Sequence, residues 1–162
     1  MSFHQILVAI DQSNLCEAVF SQALNLAELN KAKLMLLHCV NSEMIGESSI
    51  TMPLEMGLYS PIVNTNYENQ NIIMQQRLLE TQAMLRRYCE TATSRGVTTE
   101  FDYKIGDAGQ YLCQVARAWG ADLIVLGRRG HKGLTEVLLG SVSNYVLHNA
   151  HCSVLVVQEK NR

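Results

Sequence analysis

The chain has 162 residues, of which 48% are hydrophobic and 17% charged, with a formal net charge of −2. That length and composition suit one globular domain with its own core and exclude a disordered or fibrous chain, while the slight acidity argues against a general nucleic-acid or anionic-membrane surface. Five cysteines, an odd number without a Cys-x-x-Cys pair, give no disulfide or zinc framework and fit a reducing cytoplasm.

No basic, apolar leader precedes the first strand and no apolar run approaches eighteen residues, so neither a secretory signal nor a membrane span is expected. Ile6 to Ile10 is a short apolar run without polar alternation, the pattern of a strand buried on both faces, and it ends at Asp11. Ser13 or Asn14 is placed to cap the helix that follows, whose inner face carries Cys16, Val19, Phe20, Ala23 and Ala27. Lys33 to Val40 is the next strand, which completes a right-handed crossover unit.

Residues 41 to 70 lack periodicity, hold both prolines and several methionines, and are expected to form a long loop insertion, either an excursion or a lid. A long helix is expected from about Asn71, with Met74, Leu78, Leu85, Tyr88, Cys89 and Ala92 on one face and Gly96 as its stop. Val97 to Lys104 alternates and predicts an edge strand, with Val97, Thr99, Phe101 and Tyr103 on one side. Asp107 is placed to cap a helix whose inner stripe is Leu112, Val115, Ala116 and Trp119 and whose end is Gly120.

Asp122 to Leu126 is a second fully apolar strand, and a glycine-rich loop follows it directly. Gly127, Gly130 and Gly133 interrupt a basic run of Arg128, Arg129, His131 and Lys132, in which Gly127 and Gly130 are candidates for positive φ. Gly140 and Ser141 then open another helix, where unpaired amides and the dipole's positive end favour an anion. Val142, Tyr145, Val146 and Asn149 line one face of that helix, and Ser153 to Val157 is the last strand. Five strands alternating with helices predict an α/β, doubly wound, mostly parallel sheet with helices on both faces, which binds ligands beyond the strands' carboxyl ends.

The spacing Gly127-x2-Gly130-x9-Gly140-Ser141, with Ile6 to Ser13 at the start and Gly106-Asp107 before a helix and Gly120-Ala-Asp-Leu-Ile-Val125, resembles the universal stress protein family in its ATP-binding branch. The resemblance covers roughly two-thirds of the chain and implies a single domain over 1–162 with strand order 3-2-1-4-5. It also implies a cytoplasmic protein that binds ATP, or a related adenine nucleotide, with Mg2+ bridging the phosphates. On that reading Gly127, Gly130 and Gly140 let backbone donors approach phosphate, Ser141 and Ser143 add hydroxyls, and Ser141, Val142 and Ser143 supply helix amides. Arg128, Arg129, His131, Lys132 and Gly133 form the rest of the phosphate loop, with Arg129 the foremost cation. Two adjacent arginines depart from the small polar residue the family often carries after its first glycine. Asp11 either accepts from the ribose or caps the first helix. The base falls beside the backbone of Val40, and Ala9 lines the same pocket or belongs to the core.

The resemblance implies a regulatory or protective module in stress response rather than an enzyme. Weak ATP hydrolysis remains a rival, with His131 the imidazole beside the phosphates, and so does an interaction protein with a vestigial pocket. The partners implied are an adenine nucleotide, an unidentified protein and a second copy of the chain, joined through strand 153–158, whose open apolar edge has charged residues only after it. The other histidines lack zinc spacing, so no metal site is expected from side chains.

Overall fold

The computed structural model describes residues 2–41, 62–128 and 140–158. In chain order its elements are β1 (Gln5–Ala9), α1 (Cys16–Asn30), β2 (Lys33–Val40), α2 (Ile62–Ser94), β3 (Thr99–Ile105), α3 (Ala108–Trp119), β4 (Leu123–Gly127), α4 (Ser141–Asn149) and β5 (Ser153–Val157). The strands form one sheet in the order β3-β2-β1-β4-β5. Every neighbouring pair is parallel, with Ala9 opposite Leu37, Val8 opposite Val125, Val40 opposite Ile105 and Gly127 opposite Val157. The expected order holds, and "mostly parallel" becomes wholly parallel.

The unbroken apolar runs of β1, β2 and β4 are explained by burial on both faces. Ile6, Val8, Leu34, Leu36, Leu123 and Val125 pack against Val19, Phe20 and Ala23 of α1 and Leu85 and Ala92 of α2. Leu7, Met35, Leu37, Ile124 and Leu126 pack on the other face against Leu112 and Ala116 of α3 and Val146 of α4. Each fully buried Leu or Ile contributes about 1.5–3 kcal/mol, so the three central strands carry most of the core. At their amino ends the Asp122 carboxylate accepts from the backbone N–H groups of His4 at 2.8 Å and Gln5 at 3.2 Å, which pins β1 to β4.

Two local expectations are corrected. The long helix begins at Ile62, not near Asn71, so residues 62–70 of the expected loop are helical. Residues 69–80 contribute no buried side chain, and the buried stripe starts at Thr81, Leu85 and Ala92, where the helix reaches the sheet. The remainder of that loop, residues 42–61, lies outside the described residues. At α1 the cap position is Leu15, with no side-chain hydrogen bond, so neither Ser13 nor Asn14 caps it. Asp107 does cap α3, its Oδ1 accepting from the Gln110 N–H at 2.7 Å, and Gly120 closes that helix at φ 77°.

Candidate functional site

The chain crosses from β1 through α1 to β2 in one direction along the sheet and from β4 through α4 to β5 in the other. β1 and β4 are neighbours, so the strand order reverses between them, and a crevice opens beyond their carboxyl ends. Its volume is about 490 Å³, within the usual range of a small-molecule site, roughly 300–1,000 Å³. Ala9, Leu37, Leu112 and Leu126 give it apolar walls. The remaining lining comes from Asp11 after β1, Asn41 after β2, Gly106-Asp107 after β3, and Gly127 of β4 with Gly140, Ser141, Val142 and Ser143.

The α4 end is built to receive negative charge. The first intrahelical bond of α4 runs from the Asn144 N–H to the Gly140 carbonyl at 2.9 Å, so the amides of Ser141, Val142 and Ser143 precede the ladder. No side chain caps them at Gly140, in contrast to Asp107 on α3. The carboxylates of Asp11 and Asp107 also line the crevice, so an anionic group is favoured at the α4 amides and repelled where it approaches either carboxylate.

Ser143 is 2% exposed, and its hydroxyl donates to the Gly127 carbonyl at 3.3 Å. That bond ties α4 to the end of β4 and commits the hydroxyl proton, so Ser143 offers a ligand its amide rather than the expected hydroxyl. Gly127 is not among the glycines at positive φ, contrary to expectation, and Gly140 sits at φ −58°. The reason for glycine at 127 is instead packing, since a Cβ there would lie 3.0 Å from Leu15 Cδ2 and 3.1 Å from Val19 Cγ2. A second close approach sets α4 against α3, where a Cβ on Gly109 would meet Tyr145 Cδ1 at 2.8 Å.

Asp11 organises the turn after β1 without capping α1. Its Oδ1 accepts from the Ser13 N–H at 3.0 Å and from the Ser13 hydroxyl at 2.6 Å, which aims the half-buried carboxylate at the crevice mouth. Ala9 lines the crevice. Val40 is buried, and strand alternation sends its side chain to the face opposite Leu37 and Cys39, while its carbonyl accepts from the Gly106 N–H at 2.9 Å. It is therefore a neighbour of the crevice and not part of its wall. Arg128 also stands outside the wall; its N–H donates to the Val157 carbonyl at 2.9 Å, and its buried Nε has no hydrogen-bond partner among the described residues. Arg129, Gly130, His131, Lys132 and Gly133 lie outside the described residues.

Sequence reasoning missed Cys39, Asn41, Gly106 and Ala108 as lining residues, and it read Asp107 only as a helix cap. The alternation that places Leu37 inward also places Cys39, so that signal was present. Burial pushes the Cys39 thiol up to about 12, the negative charge of Asp107 adding to the effect and Lys104 opposing it, so the thiol is a neutral wall. Among the described residues no group of three or more His, Cys, Asp or Glu side chains is placed to hold a metal ion, and no helix is long and apolar enough to cross a membrane.

The universal stress protein family model matches residues 2–158. The universal stress protein Sll1388 of Synechocystis is 36% identical over 162 residues, with 98% of this chain and 99% of the relative covered. Among solved structures, the hypothetical protein MJ0577 superposes with a TM-score of 0.77 at 22% identity over 100% of both chains. A universal stress protein in complex with cAMP superposes with a TM-score of 0.62 at 22% identity over 98% of both. Match, length and sheet order agree, and the chain belongs to the universal stress protein family.

Proposed function

We propose that the crevice binds an adenine nucleotide, ATP with Mg2+, and that the protein is a cytoplasmic, nucleotide-dependent regulatory or protective module of the stress response, a single domain over 1–162. The observation that carries this is the placement of three uncapped α4 amides across the β1/β4 switch point from Asp11, with an apolar slot between them. In this reading the phosphate lies at the α4 amides, the ribose at Asp11 and the base between Leu37 and Leu112. A relative of the same fold bound to cAMP supports the choice of adenine. Magnesium in this reading is carried by the nucleotide's own oxygens, neutralising phosphate charge. The Nε of Arg128, without a partner among the described residues, marks a donor at the head of the basic run that Arg129, Gly130, His131, Lys132 and Gly133 continue in the sequence.

The same architecture supports a homodimer through β5. β3, the other edge of the sheet, carries Glu100, Asp102 and Lys104, with Lys104 and Asp102 paired at 2.6 Å, a charged edge that discourages strand addition. β5, in contrast, presents Ser153-Val-Leu-Val-Val157 on an open edge. Antiparallel pairing of two such edges about a two-fold axis would bury the valines and join the two sheets. A protein partner is part of this proposal as well; its identity is not.

The test is direct. Mass spectrometry of the purified protein should reveal a co-purifying adenine nucleotide, and calorimetry on the stripped protein should show ATP binding that Gly140→Val removes. A stripped protein that binds no adenine nucleotide, with or without Mg2+, would leave the interaction-protein reading in its place.

A further inference from the structure

The backbone of β1 stops pairing at its carboxyl end just where the site begins. Its ladder with β4 closes at Val8 and Val125, its register with β2 at Ala9 and Leu37, and the Ile10 N–H makes a last bond to the Leu37 carbonyl at 2.9 Å. The Ile10 carbonyl has no strand partner left, yet Ile10 is only 2% exposed. A buried carbonyl in that position requires a donor. His38 supplies it: the ring, 8% exposed, holds Nδ1 2.7 Å from the Ile10 oxygen. A carbonyl only accepts, so Nδ1 carries the proton and the ring is a fixed donor aimed at the residue before Asp11.

From this we infer that His38 is a positioning residue for the crevice: by holding the Ile10 carbonyl through Nδ1–H, it fixes the direction in which the chain leaves β1 and so the place of the Asp11 carboxylate. His38 is not itself a lining residue, because strand alternation puts it on the sheet face opposite Leu37 and Cys39. Its influence passes through one hydrogen bond and one peptide unit. Both Ile10 and Asp11 line the crevice, and the Asp11 carboxylate is held from its other side by Ser13. The carboxylate is thus held by Ser13 after it and, through the peptide unit, by His38 before it, while the Asp11 backbone N–H bonds to Cys16. Loss of the His38 bond leaves the Ile10 carbonyl to find water or another donor, and the peptide between Ile10 and Asp11 rotates to do so. The effect on nucleotide rests on the assignment of Asp11 to the ribose.

The test compares His38→Leu, which keeps the apolar volume and removes the donor, with His38→Asn, whose amide nitrogen falls near the place of Nδ1. In the ligand-free protein, hydrogen exchange at the Ser13 amide should quicken about tenfold in His38→Leu and return to within threefold of wild type in His38→Asn. Calorimetry should show the ATP-to-dATP affinity ratio of the wild type collapsing toward one in His38→Leu and recovering in His38→Asn. A ring that only fills space predicts the reverse, with Leu tolerated and Asn harmful. Should the wild type bind no nucleotide, the functional reading fails, while the exchange comparison still decides the role of His38. Should His38→Leu not fold, nitrogen-resolved NMR of the wild-type ring decides. An Nδ1–H tautomer coupled to the Ile10 carbonyl, and shifted by saturating ATP, is the expected result. An Nε2–H tautomer, or a Ser13 amide unchanged in His38→Leu, overturns the inference.

Discussion

Replacing Asp11 by alanine separates the observed role of its carboxylate in the turn from the ribose contact proposed for it. In the ligand-free protein it removes the acceptor for the Ser13 N–H at 3.0 Å and the Ser13 hydroxyl at 2.6 Å. Both donors belong to a half-buried turn that water can reach, so the loss resembles that of a cap and should cost about 0.5–2 kcal/mol of stability. In the nucleotide complex it also removes a charged acceptor from the ribose. A hydrogen bond to a charged group contributes about 1.5–3 kcal/mol, so ATP affinity should fall about 10- to 150-fold. A nucleotide without the 2′-hydroxyl should lose less. Urea denaturation of the ligand-free variant reads the first effect, and calorimetry with ATP and dATP reads the second. Ser13→Ala is the control, since it loosens the turn and leaves the carboxylate in place; it should lower stability by a few tenths of a kcal/mol and keep the preference for ATP. Equal losses for ATP and dATP in Asp11→Ala would refute the ribose assignment and leave Asp11 a turn residue.

Gly140→Val should abolish ATP binding with the fold retained, because Gly140 stands at the uncapped start of α4; calorimetry and circular dichroism together check it. Gly127→Ala should instead act on stability, costing about 1–3 kcal/mol as its Cβ presses on Leu15 and Val19 at 3.0 and 3.1 Å, read from the urea midpoint. Val156→Lys should convert a dimer at micromolar concentration to monomer by sedimentation, and a variant that stays dimeric would move the interface to another surface. The Cys39 thiol rises from 9.0 to about 12 on folding, so between those values the unfolded chain releases a proton that the folded one keeps. The stability it contributes is complete below pH 9 and declines as pH climbs toward 12, and Cys39→Ala should flatten that alkaline limb of the urea midpoint.

The fold was legible because the features that specify it are local. Unbroken apolar runs at β1, β2 and β4 report burial on both faces, Asp107 and Gly120 mark the ends of α3, and the order of strands and helices leaves few topologies. What escaped is what the core does not touch. Residues 62–70 of α2 read as loop because the helix's buried stripe begins only at Thr81. The cap of α1 was misplaced because Ser13 turns back to Asp11, a competition between side-chain and helix bonding that sequence cannot arbitrate.

The site divides the same way. Gly127, Gly140 and Asp11 were legible through the spacing of the glycines and the end of an apolar run, and all three line the crevice, but the reason for glycine at 127 proved to be the side chains of Leu15 and Val19. Ser143 lies inside the motif, yet its proton goes to Gly127, so a motif position and a ligand contact are different things. His38 had no motif at all. A histidine near the end of an apolar strand reads as an isolated polar residue until the neighbouring strand's last carbonyl is seen to need a donor. Residues that hold a site in place answer to backbone groups that two strands leave unpaired, and which carbonyl that is depends on register, Ala9 opposite Leu37 rather than Val40. A shift of one residue would turn His38 into the crevice and Cys39 away from it, so the sheet's register fixes both the wall of the site and the anchor behind it.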